Sequence, residues 1–348
     1  EGISETLRRR LTDSGEIRLD SISMTKRDIQ NIDRIYIVAC GTAYHAGIAG
    51  KYIIEKLVKI PVEADIASEF RYRDTFVDEH TLFIAISQSG ETQDTLAALR
   101  KAKKQGARVL SVVNVLGSSV TRESDDVFYT WAGPEIAVAS TKAYTTQLVC
   151  MYLLALKMGK QKGTVDQKYY NEILSGLKEI PKKLKEFLRN SGKIEKLAGK
   201  YCKREKIFFV GRGHDAGVSY EGALKLKEVS YINAFAIAAG ELKHGTIALM
   251  DKETLVIALA TQDALIEKMA SNIREITTRS AQVIGIAKKH NKDLKKYTDE
   301  IIYIPDCMDE LTPILSVVPL QLFAYYVAKN RGCDIDQPKN LAKSVTVE

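Results

Sequence analysis

Apolar residues in this chain fall in short unbroken runs that alternate with segments of helical spacing. Leu82, Phe83, Ile84, Ala85 and Ile86 are consecutive, the mark of a strand covered on both faces. Leu96, Ala97 and Leu99 then carry one face of a helix over residues 91–105, and residues 264–279 read the same way. Between strand and helix stands Ser87-Gln88-Ser89-Gly90-Glu91-Thr92. A strand–turn–helix junction turns free backbone N–H groups and the positive end of a helix dipole toward one point, an arrangement that suits a phosphate. An ordinary N-cap needs one hydroxyl, whereas this turn has Ser87, Ser89 and Thr92.

The runs repeat. RIYIVACG (34–41) matches KIFFVGRG (206–213), with Gly41 set against Gly211. Residues 81–87 match 254–260, 108–114 match 281–287, and 126–133 match 299–306. A helix closes each half, 142–158 and 314–331, with Gly159 and Gly332 as stop signals. The pattern predicts an α/β chain of two tandem doubly wound parallel-sheet domains, related by internal duplication, plus a C-terminal tail. The expected divisions are a first domain at 27–166, a helical connector at 167–198, a second domain at 199–339 and a tail at 340–348. Ligands of such sheets bind beyond the carboxyl ends of the strands, where the turn at 87–92 lies. Its second copy, Ala260-Thr261-Gln262-Asp263-Ala264-Leu265, has lost most of the hydroxyls and gained an acid, so one phosphate site per chain is expected.

At 348 residues there is room for two cores, and 45% hydrophobic with 27% charged residues is a globular composition. The net charge of +7 raises the possibility of a nucleic-acid partner. Residues 157–206 hold 15 basic and 6 acidic residues, however, leaving 36 basic against 38 acidic elsewhere. Ile173, Leu174, Leu177, Ile180, Leu184, Phe187 and Leu188 recur there at helical spacing, so the charge reads as the solvated face of an amphipathic connector. No nucleic-acid motif is present, and no such partner is expected. The longest apolar run, 148–156, is short of a membrane span, and Arg8, Arg9 and Arg10 lead into polar sequence unlike a signal peptide. Cys40, Cys150, Cys202, Cys307 and Cys333 are scattered and odd in number, which points to the cytoplasm and away from disulfides or zinc.

Two further segments hold chemistry. Glu221, Lys225 and Glu228 share a helix face, and on spacing alone they read as a surface salt-bridge ladder. His244 stands between glycines in a loop, and spacing gives it no role. The tail, 334–348, is by default frayed, yet Leu341, Val345 and Val347 are apolar, and a docked tail would hold Lys343 in place.

CGTAYHAG (40–47), SQSGETQDT (87–95), VASTKAYTTQ (138–147), EGALKLKEVSY (221–231), AGELKHG (239–245) and DQPKNLAKSVTVE (336–348) together resemble the glucosamine-6-phosphate synthase family. The likeness covers essentially the whole chain and corresponds to the family's synthase part, a pair of sugar-isomerase (SIS) domains. It implies conversion of D-fructose 6-phosphate to D-glucosamine 6-phosphate, with Ser87, Gln88, Ser89 and Thr92 on the sugar phosphate. Thr42, Ala43, Val138, Ala139, Ser140 and Ala342 would line the sugar. Lys343 would form an imine at the ketose C2, Glu228 would move the proton between C1 and C2, and Lys225 would stand beside it. His244 would assist ring opening across a homodimer, and neither metal nor redox cofactor is implied. The family's preceding glutaminase domain is missing from these residues, so this chain would release no glutamate from glutamine and would use supplied ammonia. Ala43 replaces a serine common in the family and Phe235 a glutamate, which removes a sugar contact and a polar role. Two other readings are a deglycase or deaminating isomerase of another phosphosugar and a non-catalytic phosphosugar sensor. Glu228, His244 and Lys343 together speak against the sensor.

Overall fold

A computed structural model describes residues 1–8, 10–12, 15–19, 21–298 and 300–346. The chain divides into two compact units. The first comprises residues 1–135, 140–178 and 342–348, and the second residues 136–139 and 179–341. The helix Gln167–Arg189 runs through the division. Ile173, Leu174, Leu177, Ile180 and Phe187 of its expected apolar stripe are buried, whereas Leu188 is exposed. Val347 and Glu348, the end of the expected tail, lie outside the described residues, as does Asp299 at the start of the last expected strand.

The first unit is built on a parallel sheet of β1 (Arg34–Ala39), β2 (Val62–Ile66), β3 (Thr81–Ser87), β4 (Arg108–Val113) and β5 (Asp126–Tyr129), in the order β2-β1-β3-β4-β5. Every residue of β3 is buried, as its unbroken apolar run predicts for a central strand. The second unit has β6 (Lys206–Gly211), β7 (Asn233–Ala238), β8 (Leu255–Ala260), β9 (Gln282–Lys288) and β10 (Glu300–Ile304), all parallel and ordered β10-β9-β8-β6-β7. Read from β7, this is the order of the first sheet, so the internal duplication extends to topology.

β2 and β7 lie outside the matched runs: β2 (VEADI) mixes polar with apolar residues, whereas β7 (NAFAIA) is apolar after Asn233, so these two copies do not resemble each other in sequence. Two sequence expectations need correction. The duplication pairs Gly41 with Gly213, not Gly211: both follow the first strand of their unit, and both take φ of +53°. Gly159 does not stop its helix, which runs Lys142–Lys162 and ends at Gly163 in the left-handed region (φ +77°). A Cβ at Gly159 would lie 2.8 Å from the Leu57 carbonyl oxygen, so a neighbouring helix's close approach accounts for this glycine.

The segment Asp309–Asn330 is long and apolar enough to cross a membrane, but 72% of its apolar window is buried within the protein. It is a core element of the second unit, with Ile314, Leu315, Val317 and Leu320 nearly inaccessible.

In each sheet the chain runs outward to one edge through the second strand and to the other edge through the third. The crevice at that reversal, beyond the carboxyl ends of the first and third strands, is where ligands of such sheets bind. In the first unit it falls between Gly41-Thr42 after β1 and the turn at 87–92 after β3.

Candidate active site

The turn at 87–92 is built from its own hydroxyls. Ser87 ends β3 and is buried; its Oγ accepts from the Gly90 N–H at 3.0 Å and shares a hydrogen bond with Thr92 Oγ1 at 3.1 Å. Ser89 Oγ accepts from the Glu91 N–H at 3.2 Å. Thr92 occupies the N-cap position of the helix Gln93–Lys104 but makes no side-chain cap bond. Its hydroxyl points to Ser87 instead, so the plain capping explanation does not hold here. The two acids of the segment are drawn aside. Glu91 accepts from the Ser119 N–H at 2.8 Å, and the Ser119 hydroxyl and N–H hold its carboxyl below the usual range. Asp94 pairs with Arg71 at 2.9 Å. The helix end therefore keeps its positive character for an anion.

Gly90 makes this turn possible. It sits at φ +68°, and a Cβ there would collide with Ser118 Oγ and lie 2.6 Å from Ser118 Cβ. Gly90→Ala is expected to cost about 1–2 kcal/mol for the backbone and about 1–3 kcal/mol for overpacking. Its urea midpoint should fall clearly below wild type. An unchanged midpoint would mean that the turn relaxes freely and is not held rigid by its own hydrogen bonds.

Thr42 and Ala43 open the helix Gly41–Val58, with Ala43 buried. Ser140 lies in the first unit, while Val138 and Ala139 belong to the second, where the Val138 N–H donates to the Asp336 carbonyl at 2.9 Å.

The tail is attached differently from expectation. Val345 is 57% exposed and Leu341 44% exposed, so burial of these apolar side chains does not dock it. Ala342 is exposed as well. In the first unit the Val345 carbonyl accepts the Gln93 N–H at 3.4 Å, and Lys343 Nζ donates to Glu135 Oε2 at 3.5 Å. Glu135, between Pro134 and the helix Lys142–Lys162, was not singled out by the sequence. A lone acid in a Gly-Pro-Glu loop looks solvated, yet its side chain is 6% exposed.

In the second unit the helix His214–Ser230 holds Glu221, Lys225 and Glu228. Glu221 and Lys225 are buried, which corrects the surface-ladder reading. Lys225 Nζ lies 3.6 Å from Glu221 Oε1 and forms an ion pair with Glu228 Oε2. A buried ammonium must be paired, and Glu221 holds Lys225 from within. The Glu228 side chain, 21% exposed, is the member of the trio that a ligand can reach. His244 is exposed at the end of a short 3-10 turn, Ala239–His244, not in an irregular loop. Phe235 is exposed on β7 and stacks on Phe208.

The second unit's counterpart of the phosphate turn is engaged internally. Asp215 accepts the Thr261 N–H at 2.9 Å and its hydroxyl at 2.6 Å, and Asp263 pairs with buried Lys288 at 2.6 Å. All five cysteines are free, and burial pushes the thiols of Cys150 and Cys307 up to about 12 and that of Cys40 upward. None of these three supplies a thiolate nucleophile near neutral pH.

The SIS domain family model matches residues 28–157 and again 200–331. A glutamine–fructose-6-phosphate aminotransferase (isomerizing) of Caldanaerobacter subterraneus subsp. tengcongensis is 57% identical over 99% of this chain, and that of Clostridium acetobutylicum is 56% identical over 100%. The chain spans 57% of the length of each of these relatives. The solved C-terminal domain of glucosamine-fructose-6-phosphate aminotransferase from Francisella tularensis superposes with a TM-score of 0.93 at 41% identity, covering 97% of this chain and 95% of that one. A glucosamine-6-phosphate deaminase from Thermotoga maritima (TM-score 0.75, 23% identity, 99% of both chains) shares the fold.

Proposed function

The chain belongs to the SIS domain family, alongside the C-terminal domain of glucosamine-fructose-6-phosphate aminotransferase, and we propose that it aminates and isomerises D-fructose 6-phosphate to D-glucosamine 6-phosphate. The observation that carries this reading is the 41% identity over 95% of the Francisella domain, in a chain that has a hydroxyl-built anion turn, an accessible paired carboxylate and a tethered lysine. In the proposal Ser87, Gln88, Ser89 and Thr92, with the amides of their turn, take the phosphate. Thr42, Ala43, Val138, Ala139, Ser140 and Ala342 contact the sugar. His244 assists ring opening, contributed from the second subunit of a homodimer. The Lys343 amine adds to the C2 carbonyl and releases water as the imine forms, and ammonia then displaces it. Glu228 takes a proton from C1 and delivers it to C2 on the same face, which turns the ketose imine into the 2-amino aldose. Lys225 fixes the carboxylate for that transfer. One ammonia enters and one water leaves overall. A preceding glutaminase domain as the source of ammonia, and a cytoplasmic location, belong to the same proposal.

Deamination of a different phosphosugar is disfavoured: the deaminase relative stands at 23% identity against 57% for an aminotransferase. The substrate assignment is tested by calorimetric titration of fructose 6-phosphate. Ser89→Ala is expected to weaken binding about 10- to 100-fold, the loss of one hydrogen bond to a charged group. Equal affinity in the variant would remove the phosphate from this turn.

A further inference from the structure

We propose that Glu135 is the positioning residue for Lys343, holding its ammonium and accepting the proton it must lose before it attacks a sugar carbonyl. The inference rests on the reading of Lys343 as the imine-forming amine. The two oxygens of this carboxylate have separate partners. Oε1 accepts the N–H groups of Thr141 and Lys142 at 2.7 and 2.9 Å, at the start of the helix Lys142–Lys162, and the Thr141 hydroxyl at 3.3 Å. Oε2 faces Lys343 Nζ at 3.5 Å. A carboxylate that is 6% exposed needs positive neighbours, and here they are a helix N-terminus and one lysine.

An alkylammonium has no lone pair with which to form a carbon–nitrogen bond, so an acceptor for its proton must be at hand. Oε2 takes one proton from Nζ, and the freed pair bonds to C2 as the carbonyl π electrons move to oxygen. When the carbinolamine loses water, one of the three ammonium hydrogens stays on the iminium and two leave in that water. The proton held on Glu135 is one of the two.

The split roles give a test. Glu135→Gln keeps an oxygen for the Thr141 and Lys142 amides but removes the charge and the proton acceptor. Glu135→Asp keeps both but shortens the reach. Borohydride trapping of fructose 6-phosphate on Lys343, followed by mass spectrometry, should slow about 100-fold in Glu135→Gln. Sugar-phosphate affinity should stay within about threefold of wild type, and Glu135→Asp should recover trapping to within about fivefold. If Glu135 merely caps the helix, the order reverses, with Gln near wild type and Asp the poorer; that order overturns the proposal. Should Glu135→Gln not fold, Glu135→Asp decides: trapping retained supports the role, and trapping lost at unchanged affinity overturns it. If the wild-type chain shows no sugar reduced onto Lys343, the reading of Lys343 itself falls, a result separable from any effect of Glu135.

Discussion

Replacing Lys343 with alanine is expected to abolish the borohydride-trapped sugar adduct and to lower amination on the order of 10³-fold or more, because no other group takes over a missing covalent nucleophile. Stability should hardly change. Lys343 sits on a tail whose flanking side chains are largely exposed and whose ties include the Val345 carbonyl and the Glu135 contact. Phosphate affinity should survive, since the hydroxyl turn at 87–92 is held by its own bonds. If mass spectrometry found sugar reduced onto the variant at the wild-type level, the nucleophile would be a different lysine. Buried Lys225 would then be the first to examine.

Glu228→Gln should stop proton exchange at C1 of bound fructose 6-phosphate while leaving binding intact. Positioned acid–base groups typically contribute about 10²–10⁴-fold, and a loss of that size is expected here. The substitution keeps the side chain's shape but leaves Lys225 with Glu221 as its anionic partner, so a moderate fall in stability should accompany the loss. Proton–deuterium exchange followed by NMR separates the two effects, because a protein still folded at the assay temperature must exchange at the wild-type rate if Glu228 has no role. Exchange at that rate would assign the transfer elsewhere.

Much of this arrangement was legible along the chain, for identifiable reasons. β3 is buried on both faces, so an unbroken apolar run marked it and pointed directly to the turn that follows. The duplication showed through four of the five strands in each sheet, the edge strands β5 and β10 among them. It was silent at β2 and β7, because β2 (VEADI) mixes polar with apolar residues while β7 (NAFAIA) is largely apolar, leaving no shared pattern. The Glu221–Lys225–Glu228 trio looked solvated because a local sequence cannot register that two other elements cover its helix. A Cβ at Gly222 would lie 2.7 Å from Leu320 and 2.9 Å from Phe209, so the helix is clamped between its neighbours. Gly217, Ser219, Gly222 and Ala223, small residues crowded around the charged positions, were the available signal. Glu135 gave none. Its significance comes from a contact with Lys343, more than two hundred residues away in sequence.

The proposed reaction uses ammonia to turn a bound ketose phosphate into an amino sugar phosphate. The most direct measurement is to incubate the purified 348-residue chain with fructose 6-phosphate and ¹⁵N-ammonium and to examine the products by NMR and mass spectrometry. The wild-type chain should yield ¹⁵N-labelled glucosamine 6-phosphate and Lys343→Ala none. Tight binding of fructose 6-phosphate with no aminated product at saturating ammonium would contradict it.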